Sequence, residues 1–200
     1  MIKVGITGGI GSGKTTFCKV WEKLGVHVVY ADDFAKKLMN EDEGLRNNIV
    51  KVFGDESYNK DGSLNRSYLA KEAFGKDRVE ELNKIVHPVL KANLKKYALQ
   101  KEREGNKVFA YEAAILLNEG RADWLDFVVI ITANEKQKLS RTAERDNTAT
   151  REIKDRMNKQ PDFEQLYSLA DFIIENSGTL QELKLKAEKT LKTIQDISGT

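Results

Sequence analysis

Short apolar runs alternate along the chain with longer stretches of mixed polarity. The runs are Ile2–Ile6, Val26–Tyr30, Val108–Glu112, Phe127–Ile131 and Phe172–Glu175. Their shortness and their richness in Val, Ile and Phe predict buried strands of a parallel sheet. Helical stretches lie between them. The first runs from about Thr15 to Leu24 and stops at Gly25, a residue suited to ending a helix. Five such strands joined by helical crossovers predict a doubly wound α/β sheet.

The spacing of the strands is uneven. Roughly 75 residues separate the second run from the third, far more than the dozen or so that one crossover needs. That stretch reads as helices over Asp33–Met39, Gly44–Phe53, Ser67–Phe74 and a long segment from Lys76 to Arg103. A turn, Asn59-Lys60-Asp61-Gly62, interrupts them. His87-Pro88 falls inside the long segment, where proline removes a backbone donor and predicts a kink or a restart. A second, shorter insertion separates Ile131 from Phe172 and carries Arg141, Arg145, Arg151 and Arg156. The pattern predicts one domain of 200 residues. Its core covers about 1–32, 106–138 and 161–200, with a helical insertion over about 33–105 and a lid over about 139–160. Insertions at strand ends sit where open α/β sheets bind ligands.

Composition and charge narrow the function classes. Lys and Arg total 33 against 31 Asp and Glu, a formal net charge of +2, so nothing in the overall charge argues for nucleic acid or a membrane surface. The lone cysteine excludes an internal disulfide and suits a reducing compartment. Met1-Ile2-Lys3-Val4-Gly5-Ile6 runs directly into glycines instead of an apolar signal segment. No apolar run approaches the ~20 residues of a membrane span. The expected location is the cytoplasm.

The strongest chemical motif follows the first strand. Gly8-Gly9-Ile10-Gly11-Ser12-Gly13-Lys14-Thr15 satisfies G-x-x-x-x-G-K-[ST], the Walker A pattern, with a strand before it and a helix after it. Glycines let successive amides curl around a phosphate, and the helix start adds a positive dipole end. Lys14 can bridge the outer phosphates and the Thr15 hydroxyl can ligate Mg²⁺. Gly9, Gly11, Ser12, Gly13, Lys14, Thr15 and Thr16 are therefore candidate nucleotide-binding residues. A guanine-reading N-K-x-D is absent. The one D-x-x-G, Asp196–Gly199, lies in the C-terminal tail, which argues against a GTPase switch.

Weaker signals surround this motif. Asp32 and Asp33 follow the second strand, and a carboxylate there can take or orient a hydroxyl proton. Asp32 is the better placed, while Asp33 can serve as a helix cap. Glu112 ends the third strand, as either a Mg²⁺ or acceptor contact or an ordinary strand-end acid. Arg141 and Arg145 share a helix face at i,i+4 and can close on phosphates. Arg151 with Asp155 and Glu152 with Arg156 are also i,i+4, which equally fits a solvated, salt-bridged helix. His87 either binds an anion or packs at the proline. Cys18, Trp21 and Trp124 read as packing residues.

Together these residues resemble the dephospho-coenzyme A kinase family over about Ile2–Leu191. The carriers are Gly5 to Thr15; Val28-Val29-Tyr30-Ala31-Asp32 with Ala35; and Leu82-Asn83-Lys84-Ile85-Val86-His87-Pro88. They continue through Arg141-Thr142-Ala143-Glu144-Arg145-Asp146, Arg156-Met157 with Gln160, and Ala170-Asp171-Phe172-Ile173-Ile174-Glu175-Asn176-Ser177-Gly178. Tyr30 replaces the first acid of the family's D-A-D, Lys91 stands where an Arg often follows His-Pro, Asn118 replaces an aromatic residue and Glu112 an Asp.

The resemblance implies a P-loop kinase fold with a five-stranded parallel sheet, a helical substrate-binding insertion and a helical lid. It implies transfer of the ATP γ-phosphate to the ribose 3′-hydroxyl of dephospho-CoA, with Mg²⁺, as the last step of coenzyme A synthesis. It implies Asp32 as the proton acceptor, Lys14 and Arg145 as phosphate partners, and Arg141, Asn176 and Gly178 at the ATP site. His87, Lys91 and Glu112 fall on the acceptor side. Another small-molecule P-loop kinase, such as a nucleoside monophosphate kinase, and a nucleotide-dependent regulator are the alternatives.

Overall fold

A computed structural model describes residues 1–199. Five strands, β1 (Ile2–Gly8), β2 (His27–Tyr30), β3 (Val108–Glu112), β4 (Phe127–Thr132) and β5 (Phe172–Glu175), form one sheet in the order β2-β3-β1-β4-β5. Every pairing is parallel. The expected strands are all present, within two residues at their ends. The outer strands differ from expectation in burial. Residues of β5 alternate between half-buried and exposed, because Phe172 and Ile174 pack against the core while Ile173 and Glu175 lie on the opposite, open face.

The helices are α1 (Lys14–Lys23), α2 (Ala31–Glu41), α3 (Glu43–Phe53), α4 (Arg66–Phe74), α5 (Val79–Arg103), α6 (Glu135–Asp146), α7 (Thr150–Asn158) and α8 (Leu180–Ser198). A 3-10 segment, Phe163–Leu169, precedes β5. The chain forms two compact units, Met1–Tyr30 with Lys101–Thr200, and Ala31–Gln100.

The first unit builds its core on both faces of the sheet. On one, Val4, Ile6, Val129 and Ile131 pack with Phe17, Cys18 and Trp21 of α1 and Leu183, Ala187, Leu191 and Ile194 of α8. The Trp21 indole donates to the Ala187 carbonyl at 2.9 Å, which satisfies its buried N–H. On the other, Val128 and Ile130 pack with Leu117 and Leu125, and the 3-10 segment covers them with Phe163, Leu166 and Tyr167. Trp124 is partly buried there. Asp171 extends the ladder before β5 begins: its carboxylate accepts from the Val128 amide at 2.7 Å, and Arg121 pairs with it at 2.9 Å.

The second unit has its own apolar core of Leu38, Leu45, Ile49, Phe53, Tyr58, Leu64, Leu69, Ala73, Val86 and Leu90. The expected turn at Asn59–Gly62 links a bridge between Tyr58 and Leu64. The helix does not restart at Pro88, because α5 runs through it without a break. Pro88 is exposed, and the buried stripe Val86, Leu90, Leu94 and Ala98 continues past it. Burying such side chains contributes about 1.5–3 kcal/mol for each large one. That offsets the ~3 kcal/mol that an interior proline costs.

Candidate active site

β1 ends at Gly8, and the chain loops through Gly9 to Gly13 before α1 opens at Lys14. Gly11 has φ 72° and Gly13 has φ 99°, conformations that a side chain disfavours. Space makes the same demand. A Cβ on Gly11 would strike the Lys138 carbonyl and the Thr142 hydroxyl of α6, and one on Gly13 would strike the Asn176 amide. No side chain caps α1, and its first turn holds no acid. Its N-terminal amides and positive dipole end suit an anion.

Lys14 Nζ donates to the Gly8 and Gly9 carbonyls at 2.7 and 3.2 Å, which folds the ammonium back over the loop. Glu112 Oε1 lies 3.9 Å from the same nitrogen. The sheet brings this about: β3 lies beside β1, with Glu112 opposite Ile6. The Thr15 side chain is exposed in the first turn of α1, while Thr16 is half-buried. Ser12 Oγ is buried with no hydrogen-bond partner among the described residues. The oxygens of Thr15 and Glu112 are hard donors of the kind Mg²⁺ prefers. Among the described residues no three His, Cys, Asp or Glu cluster for a metal. That donor set fits a cation that keeps waters and takes its other ligands from phosphates.

The segment after β5 braces the loop. Asn176 is buried, and its Nδ2 donates to the Ser12 carbonyl at 2.8 Å. The Asn176 side chain, expected at the ATP site, thus holds the backbone of the loop. Gln137 and Arg141, one turn apart on α6, grip the same segment. Gln137 Nε2 donates to the Ser177 carbonyl at 2.8 Å, and Arg141 to the Asn176 carbonyl at 2.9 Å and the Gly178 carbonyl at 3.5 Å. Arg141, Asn176 and Gly178 are thus brought together. Gln137 Oε1 and Ser177 Oγ remain buried and unpartnered among the described residues. Gln137 was absent from the sequence reading, and its spacing of four from Arg141 was the available signal.

Arg145 sits elsewhere on α6. Its Nε and one terminal nitrogen clasp the Asp146 carboxylate at 2.7 and 3.0 Å, and Arg156 of α7 adds a third contact at 2.9 Å. Arg145 first and Arg156 second hold the Asp146 carboxyl well below the ordinary carboxylate range. The i,i+4 pairs expected within α7 do not form. Arg156 reaches Asp146 rather than Glu152, because the chain turns between the two helices and brings Asp146 to it. Gln160, just past α7, accepts the Ile10 amide at 2.8 Å through Oε1. Gln160 carries the family resemblance with Arg156-Met157, but the sequence names no partner for it. A glutamine in a loop carries no periodic signal.

In the second unit, Asp32 occupies the first turn of α2, which begins directly after β2. Its side chain is exposed and makes no hydrogen bond or ion pair among the described residues. Neither acid caps the helix. α2 already starts at Ala31, and Asp33 pairs with Lys36 at 2.9 Å. His87 is half-buried and Lys91 exposed, one turn apart on α5.

Cys18 is fully enclosed in the core. Burial, with Glu112 and Glu22 adding to it, pushes its thiol far above the ordinary range, so it is packing and not a nucleophile. Among the described residues no helix is long and apolar enough to cross a membrane.

Residues 2–182 match the family model described as Dephospho-CoA kinase (CoaE). A dephospho-CoA kinase of Salinibacter ruber is 40% identical over 191 residues, covering 94% of each chain. Among solved structures, the dephospho-CoA kinase of Campylobacter jejuni superposes with TM-score 0.66 at 26% identity, covering 96% of each chain. A protein of Thermus thermophilus superposes with TM-score 0.75 at 25% identity, covering 96% of this chain and 97% of that one.

Proposed function

The chain belongs to the dephospho-CoA kinase family, and from that premise we propose that it transfers the γ-phosphate of ATP to the ribose 3′-hydroxyl of dephospho-CoA. The products are coenzyme A and ADP. The observation that carries this reading is the reach of the family match, which takes in the phosphate loop, Asp32, His87-Pro88 and Asn176 to Gly178 together.

The loop amides and the start of α1 take the triphosphate, and Lys14 leaves its carbonyl partners for the outer phosphates. Mg²⁺, when bound, offsets the charge of the transferring group. Thr15 would offer that ion its hydroxyl, and Glu112, 3.9 Å from Lys14 Nζ, would orient its waters. Asp32 accepts or orients the 3′-hydroxyl proton. Its lack of a competing partner supports that role. Arg145, released from Asp146, closes on the phosphates with Arg141 nearby, and excluding water favours the alcohol as acceptor. The second unit holds dephospho-CoA through His87 and Lys91. Arg141 and the Asn176–Gly178 segment border the adenine, with their backbone positions set by α6.

The test is ADP release from MgATP with and without dephospho-CoA, beside AMP, CMP and shikimate as control acceptors. Release that depends on dephospho-CoA, with one phosphate gained at the ribose 3′ position, is expected. Release driven by a control acceptor instead would overturn the substrate assignment and keep the kinase.

A further inference from the structure

Gln160 stands at the exit of the second lid helix. Its own amide closes the last turn of α7 on the Met157 carbonyl at 3.0 Å. Its side chain reaches the phosphate loop, where Oε1 accepts the Ile10 amide at 2.8 Å. That oxygen also lies against Gly9, where a Cβ would sit 3.5 Å from it and 3.7 Å from the Phe163 ring. The Ile10 amide is therefore committed to the protein and is not one of the amides left for an anion. Two residues further along the loop, Asn176 fixes the Ser12 carbonyl. Between these two anchors lies Gly11, pressed on the Lys138 carbonyl and Thr142. The same α7 carries Arg156, which meets Asp146, which clasps Arg145. A continuous run of contacts thus joins the loop, through Gln160, to the lid arginines.

We infer that Gln160 is a positioning residue for the donor nucleotide. It sets the outer turn of the phosphate loop before ATP arrives and ties the second lid helix to that turn. A loop already held in shape loses less conformational freedom when it binds, so affinity rises without any new contact to the ligand. Removing the acceptor frees the loop and strands a partly buried amide. The inference rests on ATP binding at this loop and not on the identity of the acceptor.

The experiment compares Gln160→Met, of similar length but without a strong acceptor, with Gln160→Glu, which retains one. Calorimetry with MgATP should show Gln160→Met weakened roughly 3- to 10-fold, the range expected for one lost hydrogen bond. Its KM for dephospho-CoA should stay unchanged. Gln160→Glu adds a charge near the phosphates. At about 0.5 M salt, where that charge is screened, it should return to within about twofold of the native affinity while Gln160→Met stays weak. Native affinity in Gln160→Met would overturn the proposal. So would failure of Gln160→Glu to recover in salt, or an equal loss of ATP and dephospho-CoA affinity alongside a large fall in unfolding temperature. If the native protein bound MgATP but transferred nothing to dephospho-CoA, the acceptor assignment would fall. The calorimetry would still decide the role of Gln160.

Discussion

The Asn176 side chain donates a 2.8 Å hydrogen bond to the Ser12 carbonyl, joining residues 164 positions apart. Gly13 makes the contact possible, because any Cβ there would displace the Asn176 amide. Asn176→Ala should therefore weaken MgATP binding by about 2- to 10-fold, the range for one buried hydrogen bond. Asn176→Asp should be weaker still, since it sets an acceptor and a charge against a carbonyl near the triphosphate. Calorimetry of both variants checks the order, and an aspartate variant that bound more tightly than the alanine one would refute it.

Asp32 stands exposed and unpaired among the described residues at the start of α2. If it takes the hydroxyl proton, Asp32→Asn should lower kcat by about 10²–10⁴-fold. The Kd for MgATP should hold, because the loop proposed to take the triphosphate belongs to the other unit. Steady-state kinetics and a nucleotide titration separate the two effects. Full turnover in the variant would remove the base role.

Asp146 gives a pH prediction with a definite sign. Arg145 and then Arg156 hold its carboxyl below its ordinary value of 3.8. A group whose folded pKa is lowered stabilises fully above its unfolded pKa, and the contribution is lost as pH falls through the folded value. The gap in unfolding temperature between the native protein and Asp146→Asn should therefore stay constant from about pH 5 to 8 and close only in stronger acid. Thermal melts across that range test it, and a gap that narrowed near neutrality would contradict the pairing.

Cys18 should resist alkylation in the folded protein. Burial excludes the reagent, and the raised thiol pKa leaves almost no thiolate at pH 8. Iodoacetamide should label one site per chain after denaturation and essentially none before it, as read by mass spectrometry. Rapid native labelling would place Cys18 outside the core.

The strands, the phosphate loop and the helical insertion were legible from local pattern alone. Short β-branched runs, a glycine-rich turn ending in Lys14-Thr15 and helical stretches between distant strands are all properties of neighbouring residues. The same holds for Cys18 and Trp21 as core positions, since apolar residues on one helix face are buried whatever covers them. Pro88 shows where local reasoning stops. The rule that proline breaks helices is sound, yet the apolar stripe from Val86 to Ala98 packs strongly enough to carry α5 through it.

The strand order, and with it the meeting of Lys14 and Glu112, belongs to the tertiary structure. So do the partners of the polar side chains. Asn176 on Ser12, Gln160 on Ile10, Arg141 on the carbonyls after β5 and Arg156 on Asp146 are single directional contacts between segments far apart or separated by a turn. Hydrophobic periodicity records which way a face points, because burial is shared by many residues at regular spacing. A lone hydrogen bond has no period, and its partner is chosen only when folding brings two particular atoms within about 3 Å.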